Sequence, residues 1–179
     1  LIKIFFLIKK KIGKNKKIKV LMFYFPVKIY QDNLFNLTKK LKKNNNIILV
    51  YNLSSKNEIK HKENSFFIDF NLLKFISLSN FFLKDIKIFL TSYLVYVFPP
   101  NSINTYISHD IYDAPMVNKS LEKKIFLRIN KLDYIFVSSK ISLDYFNSQF
   151  KKFKINVKPK LINAGYIKLD HIKKKNKKF

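Results

Sequence analysis

Short apolar runs alternate with amphipathic stretches along this chain. Ile18 to Phe25 (IKVLMFYF) is a compact apolar run closed by Pro26. Its length and its β-branched and aromatic content predict a buried strand. Tyr30, Leu34, Leu37 and Leu41 then recur at helical spacing and form one face of a predicted helix. Lys39 to Lys43 suits the C-terminal end of that helix by its dipole, and Asn44 to Asn46 ends it. Ile47 to Tyr51 is the next apolar strand. Strand, helix and strand in this order form the unit of a parallel sheet with a right-handed crossover.

The same alternation continues. Ser54 to Asn64 is polar and reads as a loop. Phe66 to Phe70 predicts a short strand, Leu72 to Leu83 a helix, and Ile86 to Thr91 (IKIFLT) a further strand. Leu94 to Phe98 is apolar and stops at Pro99-Pro100. Ile103 to Ser108 is the next strand. Val117, Leu121, Ile125, Ile129 and Leu132 line one helical face, and Tyr134 to Val137 is a strand preceded by Asp133. Ser138 or Ser139 then caps a helix carrying Ile141, Tyr145, Phe146 and Phe150. Lys160 to Asn163 is the last strand. The pattern predicts an α/β layered, Rossmann-like domain with six or seven strands in a mainly parallel sheet. It divides the chain into an N-terminal segment over 1–17, an α/β domain over 18–170 and a basic tail over 171–179.

The N-terminal segment opens with Leu1 to Ile8, apolar apart from Lys3, followed by a basic run from Lys9 to Lys19. Eight residues cannot span a bilayer. The charges follow the apolar run instead of preceding it, which argues against a signal peptide. The expectation is a loosely packed N-terminal helix, and the alternative is an interfacial anchor with a polybasic flank.

Composition narrows the function classes. Of 179 residues only Gly13 and Gly165 are glycine, so a glycine-rich phosphate loop is excluded. No cysteine means no disulfide, no thiolate nucleophile and no cysteine-based zinc site. The formal net charge of +25 points to a polyanionic partner. Arg128 is the one arginine, however, and Lys, Asn, Ile, Phe and Tyr are enriched together, as AT-rich coding produces. Phosphate and base readout lean on arginine forks, so the charge argues against nucleic acid and leaves an anionic membrane surface open.

Candidate chemistry concentrates in Ile103 to Pro115 (INTYISHDIYDAP). A strand there delivers His109, Asp110 and Asp113 into a loop closed by a proline. These titratable groups read either as a site or as an Asp-rich turn with Asp113 or Asn118 as a helix cap. In parallel α/β sheets ligands bind outside the carboxyl ends of the strands. His109, Ser138-Ser139 and Gly165 each follow a predicted strand and would share one rim. His61 lies in a polar loop and His171 beside the basic tail, and both read as solvated.

Three segments in order carry a family resemblance: Tyr106-Ile107-Ser108-His109, Asp133 to Ser139 (DYIFVSS) and Gly165 to Asp170 (GYIKLD). The chain resembles the N-terminal half of the CDP-glycerol glycerophosphotransferases, the teichoic-acid polymerase-like enzymes of GT-B architecture. In that family a His-Gly loop precedes a D-x-apolar-x-S strand and a G-x-P-R-x-D turn. Here Asp110 replaces the glycine, Ile167 the proline and Lys168 the arginine.

The resemblance implies transfer of a glycerol-phosphate-type unit from a CDP-alcohol to a hydroxyl of a cell-surface polymer. His109 would be the general base, oriented by Asp110 or Asp113. Ser138, Ser139, Gly165, Lys168 and Asp170 would contact substrate, and no metal ligand set is implied. This half would bind no cofactor, since the CDP-glycerol-like donor belongs to a C-terminal domain. The acceptor would be a polymer or lipid-linked, and the location cytoplasmic, peripheral to the inner face of the membrane. Leu1 in place of methionine and the terminal lysine run suggest a fragment that is inactive alone. The competing readings are another GT-B nucleotide-sugar transferase or 2-epimerase-like enzyme, and a basic non-catalytic module binding nucleic acid or membrane.

Overall fold

The computed structural model describes residues 2–24, 37, 40–41, 43–44, 46–52, 65–68, 83–92, 98–108 and 122–166. The chain forms two compact units, Leu1–Ile103 and Asn104–Phe179. In the first unit, helix α1 (Ile2–Lys14) precedes strands β1 (Lys19–Tyr24), β2 (Ile47–Asn52), β3 (Ser65–Ile68) and β4 (Ile86–Thr91). Their order is β3-β2-β1-β4, with every neighbouring pair parallel. Strand β5 (Ile103–Ile107) leads into the second unit, which adds α2 (Glu122–Ile129), β6 (Tyr134–Val137), α3 (Lys140–Lys152) and β7 (Lys160–Asn163). There the order is β5-β6-β7, again parallel throughout. The expected α/β fold with parallel strands is therefore present, with seven strands among the described residues. The helix predicted over 30–41 is described only at Leu37, Lys40 and Leu41, which are helical. The loop over 54–64, most of the helix over 72–83, the apolar stretch over 94–97 and the acidic loop from 109 lie outside the described residues.

Burial explains why the first strands read as continuous apolar runs. Met22, Phe23, Ile48, Val50 and Tyr51 are fully buried although successive residues face opposite sides of a sheet. Both faces are covered, as parallel sheets require. On one face Val20, Met22, Ile48, Val50 and Ile68 pack with Phe5 and Ile8 of α1. On the other, Phe23, Tyr51 and Phe67 stand opposite one another in register, with ring centroids 5.5 and 5.6 Å apart. Burial pushes the Tyr51 phenol well above the ordinary tyrosine range and keeps it neutral.

Helix α1 corrects the expectation of loose packing. Phe5 and Ile8 are 3% and 2% exposed, and Ile4 and Ile12 lean on the same core. The stripe Phe5, Ile8 and Ile12 has helical spacing, so the segment carries a true core face. Among the described residues no helix is long and apolar enough to cross a membrane.

The second unit is built around Phe126. It is fully buried, and Tyr145, Phe146, Phe150 and Phe153 surround it with centroids between 5.3 and 6.3 Å away. Helix α3 packs on β6 and β7 through a face of Ser142, Phe146 and Phe150. Ile141 is 66% exposed, so it contributes nothing to this face. The helix ends in a Schellman arrangement: Lys154 N–H donates to Lys151 C=O and Ile155 N–H to Phe150 C=O. Lys154 occupies the left-handed position at φ 54°, where glycine is usual. A side chain there costs about 1 kcal/mol in backbone strain. Lys154→Gly is expected to raise unfolding stability by a few tenths to about 1 kcal/mol, seen as a higher urea midpoint at unchanged m-value.

Candidate functional site

Parallel pairing brings the carboxyl ends of β5, β6 and β7 side by side. Ile107 stands opposite Phe136, and Val137 opposite Asn163. The ladder continues past the strands, with Ser108 N–H donating to Phe136 C=O and Ala164 N–H to Val137 C=O, both at 2.9 Å. Three chain exits, at Ser108, Ser138 and Ala164, therefore line one rim.

The rim is polar and ordered. The Ser108 and Ser138 hydroxyls lie 3.3 Å apart, both buried, so each partners the other across two strands. Ser139 has an extended backbone and is the N-cap of α3. Its Oγ accepts from Ser142 N–H at 3.1 Å and lies 3.1 Å from Ser142 Oγ, which places a polar contact on the buried face of the helix. The amino end of α3, with its partial positive charge, thus opens at this rim. Gly165 follows β7 at φ +73°. A Cβ there would meet nothing within 4 Å, so the backbone angle and not crowding favours glycine.

Asp133 fixes the opposite ends of these strands. Its Oδ2 accepts from Asn104 N–H at 2.8 Å, its own N–H donates to Asn104 C=O at 2.8 Å, and its C=O accepts from Lys160 N–H at 2.9 Å. Lys158 Nζ lies 3.0 Å from its Oδ1. Asn130 assists, since its Oδ1 accepts from Lys158 N–H and its Nδ2 donates to Asn156 C=O. One residue thus joins the starts of β5, β6 and β7, and so sets which residues reach the rim.

Of the residues singled out from sequence, Ser138, Ser139 and Gly165 lie on the rim. His109, Asp110, Asp113, Lys168 and Asp170 lie outside the described residues. His109 is the next residue in the chain after Ser108. Two contributors were not singled out as such. Ser108 read only as the end of a strand and as part of a motif segment, although a small hydroxyl closing a buried apolar run is itself a signal of a polar partner. Asp133 read only as part of a motif, and its role depends on contacts 29 residues away. Among the described residues no three His, Asp or Glu side chains are grouped to hold a metal ion.

Comparison with known proteins yields a fold likeness. No protein-family model matches the sequence, and no curated protein matches it. Among solved structures, a histidine-to-asparagine variant of the wall teichoic acid polymerase TagF is similar, with a TM-score of 0.54 at 11% identity. The similarity covers 84% of this chain and 39% of that one, so the chain spans about two-fifths of TagF's length. At this identity the likeness shows a shared fold alone, an α/β layered arrangement like part of TagF, a GT-B enzyme.

The geometry at Asp133 separates two contributions. Asp133→Ala removes the acceptor of a half-buried backbone N–H and is expected to cost about 2 kcal/mol in chemical denaturation. Lys158→Ala removes only the exposed partner of the ion pair and should cost about 0.5 kcal/mol or less.

Proposed function

We propose that this chain is the acceptor-side part of a transferase that moves a glycerol-phosphate-type group from a CDP-alcohol to a hydroxyl of a cell-surface polymer. The observation that carries the reading is a coincidence of order and position. Three motif segments of the glycerophosphotransferase resemblance run into the ends of three adjacent parallel strands, at Ser108, Ser138-Ser139 and Gly165. The fold likeness to TagF supports the same class.

In this reading His109 is the general base. Its imidazole takes the proton of the acceptor hydroxyl as the oxygen forms a bond to the β-phosphorus of the donor. The bond from that phosphorus to the bridging oxygen breaks, and CMP leaves. Asp110 or Asp113 orients the ring and favours the imidazolium that forms. The amino end of α3, with Ser138 and Ser139, faces the phosphate. Gly165 shapes the turn after β7, and Lys168 and Asp170 contact substrate. Lys168 keeps the charge of the family's arginine without its two-pronged geometry. The donor nucleotide is assigned to a second α/β domain, the acceptor is polymeric or lipid-linked, and the reaction runs at the cytoplasmic face of the membrane.

The test uses protein translated from the complete reading frame, labelled CDP-glycerol and a lipid-linked acceptor. Transfer of labelled glycerol phosphate is expected, and His109→Ala should lower it by about 10² to 10⁴ with the circular dichroism spectrum unchanged. Undiminished transfer by His109→Ala would remove the base assignment. Turnover of a UDP-sugar with none of CDP-glycerol would replace the donor assignment with a nucleotide-sugar enzyme.

A further inference from the structure

Ser108 closes β5 one residue before His109, and two separate attachments hold it to the β6 side. Its N–H donates to Phe136 C=O at 2.9 Å, and its hydroxyl lies 3.3 Å from that of Ser138. One bond would leave the strand end free to pivot about it. Two bonds to different residues fix its rotation as well. The anchor is itself held on both sides. Val137 C=O accepts from Ala164 N–H, and Ser139 Oγ accepts from Ser142 N–H in the first turn of α3. Ser108 and Ser138 are both buried, so their contact is sheltered from bulk water. Stability alone does not account for this pair. Replacing both partners of a buried hydrogen bond by apolar groups of similar shape is close to neutral, and two alanines would fill the same strand ends.

We infer that the Ser108–Ser138 hydroxyl pair positions the general base. The inference rests on the transferase reading, in which His109 takes the acceptor proton. Ser108 is a positioning residue that acts through its neighbour in the chain. One peptide link sets the Cα of His109 about 3.8 Å from that of Ser108. The chain therefore enters the His109 loop from a fixed point and with a fixed heading. A general base must stand within hydrogen-bond reach of the proton it removes, and a displacement of about 1 Å can lower a rate about 10²-fold. Ser138 leads into the amino end of α3, which faces the phosphate in the same reading. The hydroxyl contact thus gives the base and the phosphate-facing helix end a common reference, and Ser138 gains a role toward the base beside its place at that end.

The test uses protein from the complete reading frame and the labelled CDP-glycerol assay, with kcat and KM measured separately. Ser108→Ala is expected to lower kcat about tenfold and to leave the KM for CDP-glycerol within about twofold. Added to Ser138→Ala, it should lower kcat no further, because the two share one contact. Added to His109→Ala, it should likewise cost nothing more, since the residue it acts through is gone. The urea midpoint of the double serine variant should stay close to that of the unaltered protein. An equal tenfold loss from Ser108→Ala in the His109→Ala background would overturn the inference in favour of a structural or phosphate-binding role. Unchanged kcat in Ser108→Ala, with transfer still lost in His109→Ala, would overturn the inference and leave the base assignment standing. Undiminished transfer by His109→Ala would remove both. Circular dichroism checks that each variant folds, and the double serine variant tests the same contact should Ser108→Ala alone not fold.

Discussion

Parallel neighbours in a sheet are joined by long crossovers, so no tight turn sets their register. A slip of one residue would send every side chain to the wrong face. In the second unit Asp133 removes that freedom. Its carboxylate and backbone groups tie Asn104 and Lys160 to one point, and the ladder then runs from that point to Ser108, Ser138 and Ala164. The first unit uses bulk for the same end. Phe23, Tyr51 and Phe67 stack in register across three strands, and a slip would break the stack and bring each ring to the α1 side.

Much of this was legible in the residues. The strands Ile86–Thr91, Tyr134–Val137 and Lys160–Asn163 have the bounds that the apolar runs predict, because a polar or charged residue stands at or beside each end. The parallel arrangement followed from the alternation of strands and helices. Strand β3 begins at Ser65, one residue before the apolar run over Phe66 to Phe70, whose last two residues lie outside the described ones. Burial of Ser65 against its neighbour strand cannot be seen from hydropathy. Ile141 misleads for a related reason. The buried side of α3 begins with Ser142, whose hydroxyl is satisfied by Ser139, and this rotates Ile141 into water. Loose packing was expected of the N-terminal helix, whereas the spacing of Phe5, Ile8 and Ile12 gives it a core face.

The candidate site was legible in part. Strand ends and hydroxyls mark where chemistry would sit in an α/β sheet, and Ser138, Ser139 and Gly165 lie there. The contact between Ser108 and Ser138 joins residues 30 apart and becomes visible only when the strands are paired. The lysine enrichment carries less information than its size suggests, since α2, α3 and the turns share it evenly. What distinguishes one basic stretch from another is the apolar surface beside it.

Helix α1 joins β1 through a turn of four residues in which Ile18 N–H donates to Asn15 C=O and Lys17 N–H to the Asn15 side chain. Asn15 also reaches Asn46, at the entry to β2. There is no slack between this helix and the strands behind it. Phe6 and Leu7, 62% and 45% exposed, are therefore carried rigidly by the first unit and not on a tether. The attitude of β1 to β4 is tied to that of one short helix.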